Sequence, residues 1–202
     1  KLGSITVIDE NGDEVEVRRS GSEYKFTMPD SDVRVSARFV RDTGALPFND
    51  VNAGDWFYDY VEYVYNNGIM DGVDNGVFSP NTETTRGMVV TILYRLAGEP
   101  NVRGGNDFSD VASGAYYADA VTWASNAGIV NGTSATTFSP NALVTREQFA
   151  AMLYRYMQYT GADTSARASL SGFADAGKVS PYAADAVAWA VAEDVLNGRS
   201  AT

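Results

Sequence analysis

The sequence repeats itself at a spacing of 60 residues, and this register constrains the fold more than any other feature. From Phe48 onward, adding 60 to a residue number returns the same residue type again and again without a gap. The matched pairs include Phe48 and Phe108, Asp50 and Asp110, Gly72 and Gly132, Phe78 and Phe138, and Arg86 and Arg146. A third, partial copy starts at Phe173. The pattern predicts one small unit used in tandem, over residues 46–98, 106–160 and 170–202.

Each copy predicts two helices joined by a long loop. In the second copy, apolar residues follow helical spacing twice, first at Ala120, Trp123, Ala124 and Ala127 and then at Phe149, Met152, Leu153 and Tyr156. Gly128 is suited to end the first of these helices. Thr145 and Gln148 have the form of a capping box at the start of the second helix. The first copy has Thr85 but places Met88 at the box position, which predicts a weaker cap.

Residues 1–42 have a different pattern, in which apolar and polar side chains alternate as they do in β-strands. The alternating stretches are Ile5 to Ile8, Val15 to Val17, Tyr24 to Phe26 and Val33 to Phe39. Asn11-Gly12 and Met28-Pro29 mark turns between them. Because so short a segment buries little core of its own, we expect it to be the end of a larger β module.

Composition excludes several classes of function. The chain has 15 Lys and Arg against 26 Asp and Glu, and a net charge of -11 would repel nucleic acid. It contains no Cys and no His, which excludes disulfides, thiolate zinc sites and catalysis by Ser-His-Asp or Cys-His groups. The sequence contains no run of about 18 apolar residues, so no membrane span is predicted, and we expect no signal peptide in these residues.

The repeats resemble S-layer homology domains of bacterial surface proteins. The resemblance rests on the opening Phe-x-Asp-Val, the Gly-Ile-x-x-Gly step, the Phe-x-Pro-Asn loop and the Thr-Arg that starts each second helix. It implies a mainly α fold of tandem helix-loop-helix repeats around a pseudo-threefold axis, beside a small N-terminal β segment. It also implies a secreted protein of the bacterial cell surface, cell wall or S-layer. Residues 1–42, through Phe26-Thr27-Met28-Pro29, resemble the closing strands of InlB B-like (Listeria-Bacteroides) surface repeats.

The function implied by the resemblance is non-covalent anchoring to a secondary cell-wall polysaccharide, often a pyruvylated one, in grooves between repeats. Arg86 and Arg146 match the Arg of the family's Thr-Arg-Ala-Glu motif, and Glu147 completes that motif only in part. A guanidinium offers a planar fork of donors to the carboxylate of a pyruvyl group. We expect free backbone N–H groups at the same helix starts to complete a small anion site.

The other candidate ligand-binding residues are aromatic, acidic or small. They are Trp56, Tyr116, Asp50, Asp110, Gly72, Gly132 and Ser134. The two aromatic residues suit a sugar platform and a core anchor equally well, and the two aspartates suit a turn or cap as well as ligand contact. The glycines would let backbone donors approach a ligand closely. Trp123 and Trp189 lie on apolar helical faces and are expected in the core.

Two alternative functions remain beside a wall-polymer anchor, and one loop invites a metal-binding interpretation. A glycosidase using two carboxylates needs neither His nor Cys, but its acids would form one asymmetric pair, whereas the acids here recur once per repeat. A structural or protein-binding stalk would expose a flat apolar patch instead of a groove. The loop at 71–76 is rich in oxygen ligands but lacks a full calcium-binding pattern. We therefore expect no metal and no cofactor, with peptidoglycan as a second candidate partner.

Overall fold

The computed structural model describes residues 2–20, 23–39 and 46–198, which form two compact units with a boundary between Pro80 and Asn81. Its described elements are β1 (Leu2–Asp9), β2 (Arg18–Ser20), β3 (Glu23–Lys25), β4 (Val33–Phe39), α1 (Tyr58–Asn66), α2 (Arg86–Leu96), α3 (Ala118–Asn126), α4 (Arg146–Tyr159) and α5 (Ala184–Ala192). Two short 3-10 helices, Ala176–Lys178 and Pro181–Ala183, precede α5. The mainly helical character predicted for the repeats is confirmed.

The N-terminal residues are β-structured, as their alternation predicts. β1 pairs antiparallel with β4, and β2 pairs antiparallel with β3. Gly12 has a φ of +90° in the turn after β1, a backbone conformation that suits glycine. The strand predicted around Val15 is wrong, because residues 15–17 belong to no strand, although the Val15 backbone N–H donates to Val7 O over 2.8 Å. Val7 is fully buried.

The first repeat begins in the same unit as the strands. A small core forms from buried apolar residues, namely Phe48, Val51, Val61 and Phe78. The ring of Phe48 lies 5.1 Å from the rings of both Tyr65 and Phe78, between centroids. Phe48 therefore connects α1 to the loop that follows it.

In the unit formed by residues 81–202, the second helix of one repeat packs against the first helix of the next. α2 packs on α3, and α4 packs on α5. Trp123 and Trp189 are 7% and 3% exposed, which confirms that both belong to the core. Burial of such large aromatic surfaces contributes substantially to the stability of this core. Each packed helix pair therefore combines the second helix of one sequence repeat with the first helix of the next.

Helix ends follow the sequence closely. The Thr145 side chain accepts from the Gln148 backbone N–H and the Gln148 side chain reaches back to Thr145, which confirms the capping box. At α2, Thr85 accepts from the Met88 backbone N–H and no reciprocal bond is possible. Gly128 has a φ of +71° directly after Ala127, the C-cap residue of α3. Within the described part of the chain, no helix has the length and apolar character needed to span a membrane.

Candidate functional site

The loop between the two helices of a repeat is held by the recurring aspartate. Asp110 accepts from the backbone N–H groups of Phe138 and Ser139 over 2.8 and 2.7 Å. Asp50 makes the equivalent bonds to its own loop in the first repeat, over 2.9 and 2.7 Å. Ser139 has a φ of +58°, so this bond supports a backbone conformation that a serine rarely adopts. Both aspartates thus have a structural role, and their contact with a ligand stays a prediction.

These hydrogen bonds change the acidity of the two carboxyl groups. Donation from the Phe78 backbone N–H is the main cause that lowers the pKa of Asp50. For Asp110, desolvation acts to raise the pKa, but the donors at Phe138 and Ser139 outweigh it and the pKa is lowered. Both groups therefore remain carboxylates at neutral pH and hold their loops in the charged form.

Arg86 is buried and its guanidinium is bonded to the following repeat. Its side chain is 4% exposed. Nε donates to Phe138 O and Nη2 donates to Asn131 O, both over 2.9 Å, and a longer contact of 3.4 Å joins Nη1 to Gln148 Oε1. The guanidinium carbon also lies 4.6 Å from the centre of the Phe138 ring. Burial lowers the pKa of Arg86 from its usual value. Arg86 therefore positions the loop of the second repeat, and its direct contact with a ligand stays a prediction.

The free N–H groups expected beside Arg86 are not there, and this prediction is wrong for α2. The backbone N–H of Arg86 donates to Ala142 O over 2.9 Å, and that of Gly87 donates to Pro140 O over 2.8 Å. The third N–H, at Met88, is bound by the Thr85 cap. The carbonyls of the second repeat have taken the place that an anion would occupy.

A groove opens above the Arg86 guanidinium, and we call it the Arg86 groove. It has a volume of about 410 Å³. Its lining includes Arg86, the loop 131–133, Gln148 and Arg155 on α4, and Tyr182 from the 3-10 helix before α5. The lining residues include two arginines and no acid. On a chain with a net charge of -11, such a groove is a local site for an anion.

Tyr182 stands at one side of the Arg86 groove. It is 54% exposed, and its hydroxyl lies 3.4 Å from Glu147 Oε1. Desolvation, followed by the charge of Glu147, raises the pKa of this hydroxyl, while the positive charges of Arg86 and Arg155 act in the opposite direction. Tyr182 therefore remains neutral at physiological pH and presents a ring face beside two cations.

Glu147 is engaged by the third repeat. Its carboxylate accepts from the Ser180 backbone N–H over 2.8 Å and from the Ser180 hydroxyl over 3.0 Å. Together with the contact to Tyr182, these bonds fix the start of the 3-10 helix that precedes α5. Glu147 thus holds Tyr182 in place, and ligand contact by its carboxylate stays a prediction.

A second groove of about 600 Å³, the Arg146 groove, lies at the start of α4. Its charged lining residues are Arg146, Glu147, Asp175 and Lys178, so that two cations are balanced by two acids. Arg146 is exposed, and its Nη2 donates to Asn197 O. This bond is equivalent to that between Arg86 and Asn131, because Asn197 and Asn131 occupy the same step in successive repeats.

Trp56 and Tyr116 are surface residues. They are 84% and 65% exposed, which excludes the core-anchor alternative for both. Tyr182 occupies the same position in the third repeat, three residues before the Asp185 that matches Asp119. Each repeat therefore exposes an aromatic ring just before its first helix, and the role of Trp56 and Tyr116 as sugar platforms stays a prediction.

The glycines and Ser134 shape the loops from within. A Cβ at Gly132 would lie 2.4 Å from Ser134 O and 2.6 Å from the Phe108 ring. At Gly72, where φ is +87°, a Cβ would lie 2.5 Å from Val77 O. The close approach at these glycines is thus to the loop itself. Ser134 Oγ lies 2.6 Å from Thr137 Oγ1, within the same turn.

The structure brings only some of the predicted residues together. Arg86 and Gly132 line the Arg86 groove, and Arg146 and Glu147 line the Arg146 groove. Asp50, Gly72 and Trp56 belong to the unit formed by residues 1–80, whereas Tyr116, Asp110 and Ser134 lie outside both groove linings.

Of the residues that line the Arg86 groove, only Arg86 and Gly132 were predicted to bind a ligand, and the residues missed include Arg155 and Tyr182. The signals were available, because Arg155 ends a repeated Leu-Tyr-Arg and Tyr182 recurs at the platform position. Among residues 2–20, 23–39 and 46–198, no group of three or more Asp and Glu is arranged to hold a metal ion.

Comparison with known proteins identifies the family. A model of the S-layer homology domain matches residues 47–87, 107–150 and 172–202. The chain therefore belongs to the S-layer homology domain family, with three repeats. Domains of this family anchor surface proteins, including S-layer proteins and cell-surface enzymes, to the cell wall. Their presence indicates a secreted protein located at the cell surface or in the cell wall.

Three relatives illustrate the range of proteins that carry such repeats. The chain is 33% identical over 168 residues to the surface-layer 125 kDa protein of Lysinibacillus sphaericus, covering 83% of this chain and 14% of that protein. It is 30% identical over 158 residues to an endoglucanase of Bacillus sp. (strain KSM-635), covering 78% and 17%. It is 28% identical over 106 residues to the S-layer protein sap of Bacillus anthracis, covering 52% and 13%. The chain thus spans less than a fifth of each relative.

Proposed function

We propose that this chain anchors its protein by binding a secondary cell-wall polysaccharide in the grooves between repeats, and that the Arg86 groove is the principal site. The observation that carries the proposal is a groove lined by two arginines and no acid, on a chain with a net charge of -11. A pyruvylated sugar supplies the matching carboxylate, and guanidinium groups bind carboxylates strongly.

The shape of the groove supports a sugar ligand. The exposed ring of Tyr182 offers an apolar face to a pyranose ring, as aromatic side chains commonly do at sugar-binding surfaces. The loop 131–133 and Gln148 place polar groups in the same lining. The Arg146 groove, with balanced charges, would then be the weaker anion site.

We propose that these residues act by binding and not by catalysis. The names endoglucanase and amylopullulanase describe relatives of which this chain spans 17% and 8%. The recurring acids Asp50 and Asp110 are each bonded to their own loop, which does not suit a general acid. Any catalytic activity of the whole protein would belong to other residues.

Two architectural predictions accompany the function. We propose that the three repeats pack around a pseudo-threefold axis, which the repeated packing of a second helix on the next first helix supports. We also propose that residues 1–42 close an InlB B-like β module, with the repeats bounded at 46–98, 106–160 and 170–202. A crystal structure of the protein would test both.

Co-sedimentation with purified cell walls of the producing bacterium tests the function. The walls are used before and after hydrofluoric acid extraction, which removes secondary polymers and leaves peptidoglycan. We expect the protein to bind native walls and to lose binding to extracted walls. Tyr182→Ala should weaken binding roughly tenfold, because it removes the ring face from the groove.

Tyr60→Ala is the matched control. Tyr60 is 69% exposed and also belongs to a first helix, but it lies outside both groove linings. Binding that survives extraction would contradict a polysaccharide ligand and favour peptidoglycan or a protein partner. An equal effect of the two substitutions would contradict the Arg86 groove as the site.

A further inference from the structure

The two arginines of the Arg86 groove have different tasks. Arg86 is buried, and its Nε and Nη2 are already bonded to the carbonyls of Phe138 and Asn131. A ligand that took these donors would leave two carbonyls without partners, which costs free energy. Arg86 is therefore poorly suited to supply the strongest ligand contact, despite its place in the Thr-Arg motif.

Arg155 is the other arginine, and no carboxylate of the described residues forms an ion pair with it. It is half-buried on the third turn of α4 and lines the groove. Among the residues that the structure describes, no ion pair or hydrogen bond is found for its guanidinium. A half-buried cation without a carboxylate partner is available to an anion from outside.

The first repeat provides an internal comparison. Arg95 occupies the position of Arg155, and its Nε lies 3.9 Å from Oε1 of Glu99, in the turn that follows α2. In the second repeat the residue four positions after Arg155 is Tyr159, so this ion pair cannot form. Arg95 also lies outside both groove linings. The arginine of the same Leu-Tyr-Arg motif thus has an acidic partner in the first copy, whereas in the second copy it lies beside a groove and has no such partner among the described residues.

We infer that Arg155 is the residue of the Arg86 groove that recognises an anionic group, a carboxylate or a phosphate, on the wall polymer. The inference rests on the proposed function and names its specificity-determining residue. Arg86 is then a positioning residue that keeps the loop 131–133 opposite Arg155, and Tyr182 bounds the site from the third repeat. The anion is held by a fork of donors, which a lysine cannot reproduce.

The test compares Arg155→Gln with Arg95→Gln in binding to native walls. Glutamine keeps part of the stem and some hydrogen-bonding capacity while removing the charge, and unfolding midpoints establish that both variants are folded. We expect Arg155→Gln to weaken binding about 10- to 100-fold, the usual effect of losing a charge-assisted contact, and Arg95→Gln to change it less than about twofold. Arg155→Lys should fall between wild type and Arg155→Gln.

Chemically altered walls identify the anion. On walls whose carboxyl groups have been reduced with carbodiimide and borohydride, wild type and Arg155→Gln should bind alike if the anion is a carboxylate. On walls treated with phosphatase instead, which leaves carboxyl groups intact, they should bind alike if it is a phosphate monoester. If wild type and Arg155→Gln still differ in binding on both altered walls, the inference is overturned, because Arg155 would then not be binding an anion.

The same experiment separates this inference from the proposed function. If wild type binds native walls and Arg155→Gln equals Arg95→Gln, the anchor stands and the role of Arg155 is refuted. If wild type does not bind native walls, the proposed function itself fails, and the assignment of Arg155 fails with it.

Discussion

Arg86 and Arg146 occupy equivalent positions in successive repeats, yet their replacement by alanine should affect stability very differently. Arg86 is 4% exposed and donates to two backbone carbonyls over 2.9 Å. Arg146 is exposed and donates to Asn197 O. Comparing Arg86→Ala with Arg146→Ala therefore measures how much the arginine of this motif stabilises the fold, apart from any role in binding.

The magnitude follows from what each substitution leaves behind. Arg86→Ala removes the charged donor from Phe138 O, which is buried, and from Asn131 O. Each such hydrogen bond contributes about 1.5 to 3 kcal/mol, and relief of the desolvated guanidinium offsets part of the loss. We expect a net loss of about 3 kcal/mol for Arg86→Ala, and less than about 1 kcal/mol for the exposed Arg146→Ala.

Thermal unfolding followed by tryptophan fluorescence measures the difference, since Trp123 and Trp189 are buried in the unit that contains both arginines. A loss of about 3 kcal/mol lowers the midpoint of a unit of this size by roughly 10 °C. Arg86→Lys serves as a control that keeps the charge without the fork of donors, and it should be intermediate. Equal midpoints for Arg86→Ala and Arg146→Ala would refute the reasoning.

Two further predictions concern the loop that Arg86 holds. Gly132→Ala should destabilise the fold by roughly 2 kcal/mol in urea unfolding, because its Cβ would lie 2.4 Å from Ser134 O, whereas a tolerated alanine would contradict the loop geometry. The lowered pKa of Asp110 means that its carboxylate stabilises the fold above its unfolded pKa of about 3.9, and this stabilisation is lost as the pH falls through the lower folded pKa. Asp110→Asn should therefore be less stable than wild type at pH 7 and show a smaller loss of stability on acidification, and parallel pH profiles would refute this.

The repeat architecture could be predicted because its signals are local. Helical spacing, the cap at Thr145 and the turn at Gly128 depend on residues that are neighbours in the chain, and the structure confirms each of them. Burial of Trp123 and Trp189 follows from their place on apolar faces. The strand around Val15 was predicted wrongly because alternation does not reveal how far pairing extends: contact with β1 here is limited to the Glu14–Ile8 bridge and the bond from Val15 N–H to Val7 O.

The site was harder to predict, because it depends on contacts between repeats. The sequence shows that Arg86 starts a helix, but not that the carbonyls of Phe138 and Asn131 enclose its guanidinium. The sequence shows that Arg95 and Arg155 occupy equivalent positions. That Glu99 forms an ion pair with Arg95 gains importance only once Arg155 is seen to line the groove. Residues brought together from three repeats leave no pattern within any single one.

Nuclear magnetic resonance provides the most direct test of the Arg86 groove as the binding site. Soluble polymer released from the walls is titrated into ¹⁵N-labelled protein, and backbone amide signals are followed. We expect the largest shifts at Gly132 and Thr133, with a shift of the Arg155 side-chain Nε–H, because these groups line the groove. Saturable shifts confined to residues 1–80, with Gly132, Thr133 and Arg155 unchanged, would contradict it.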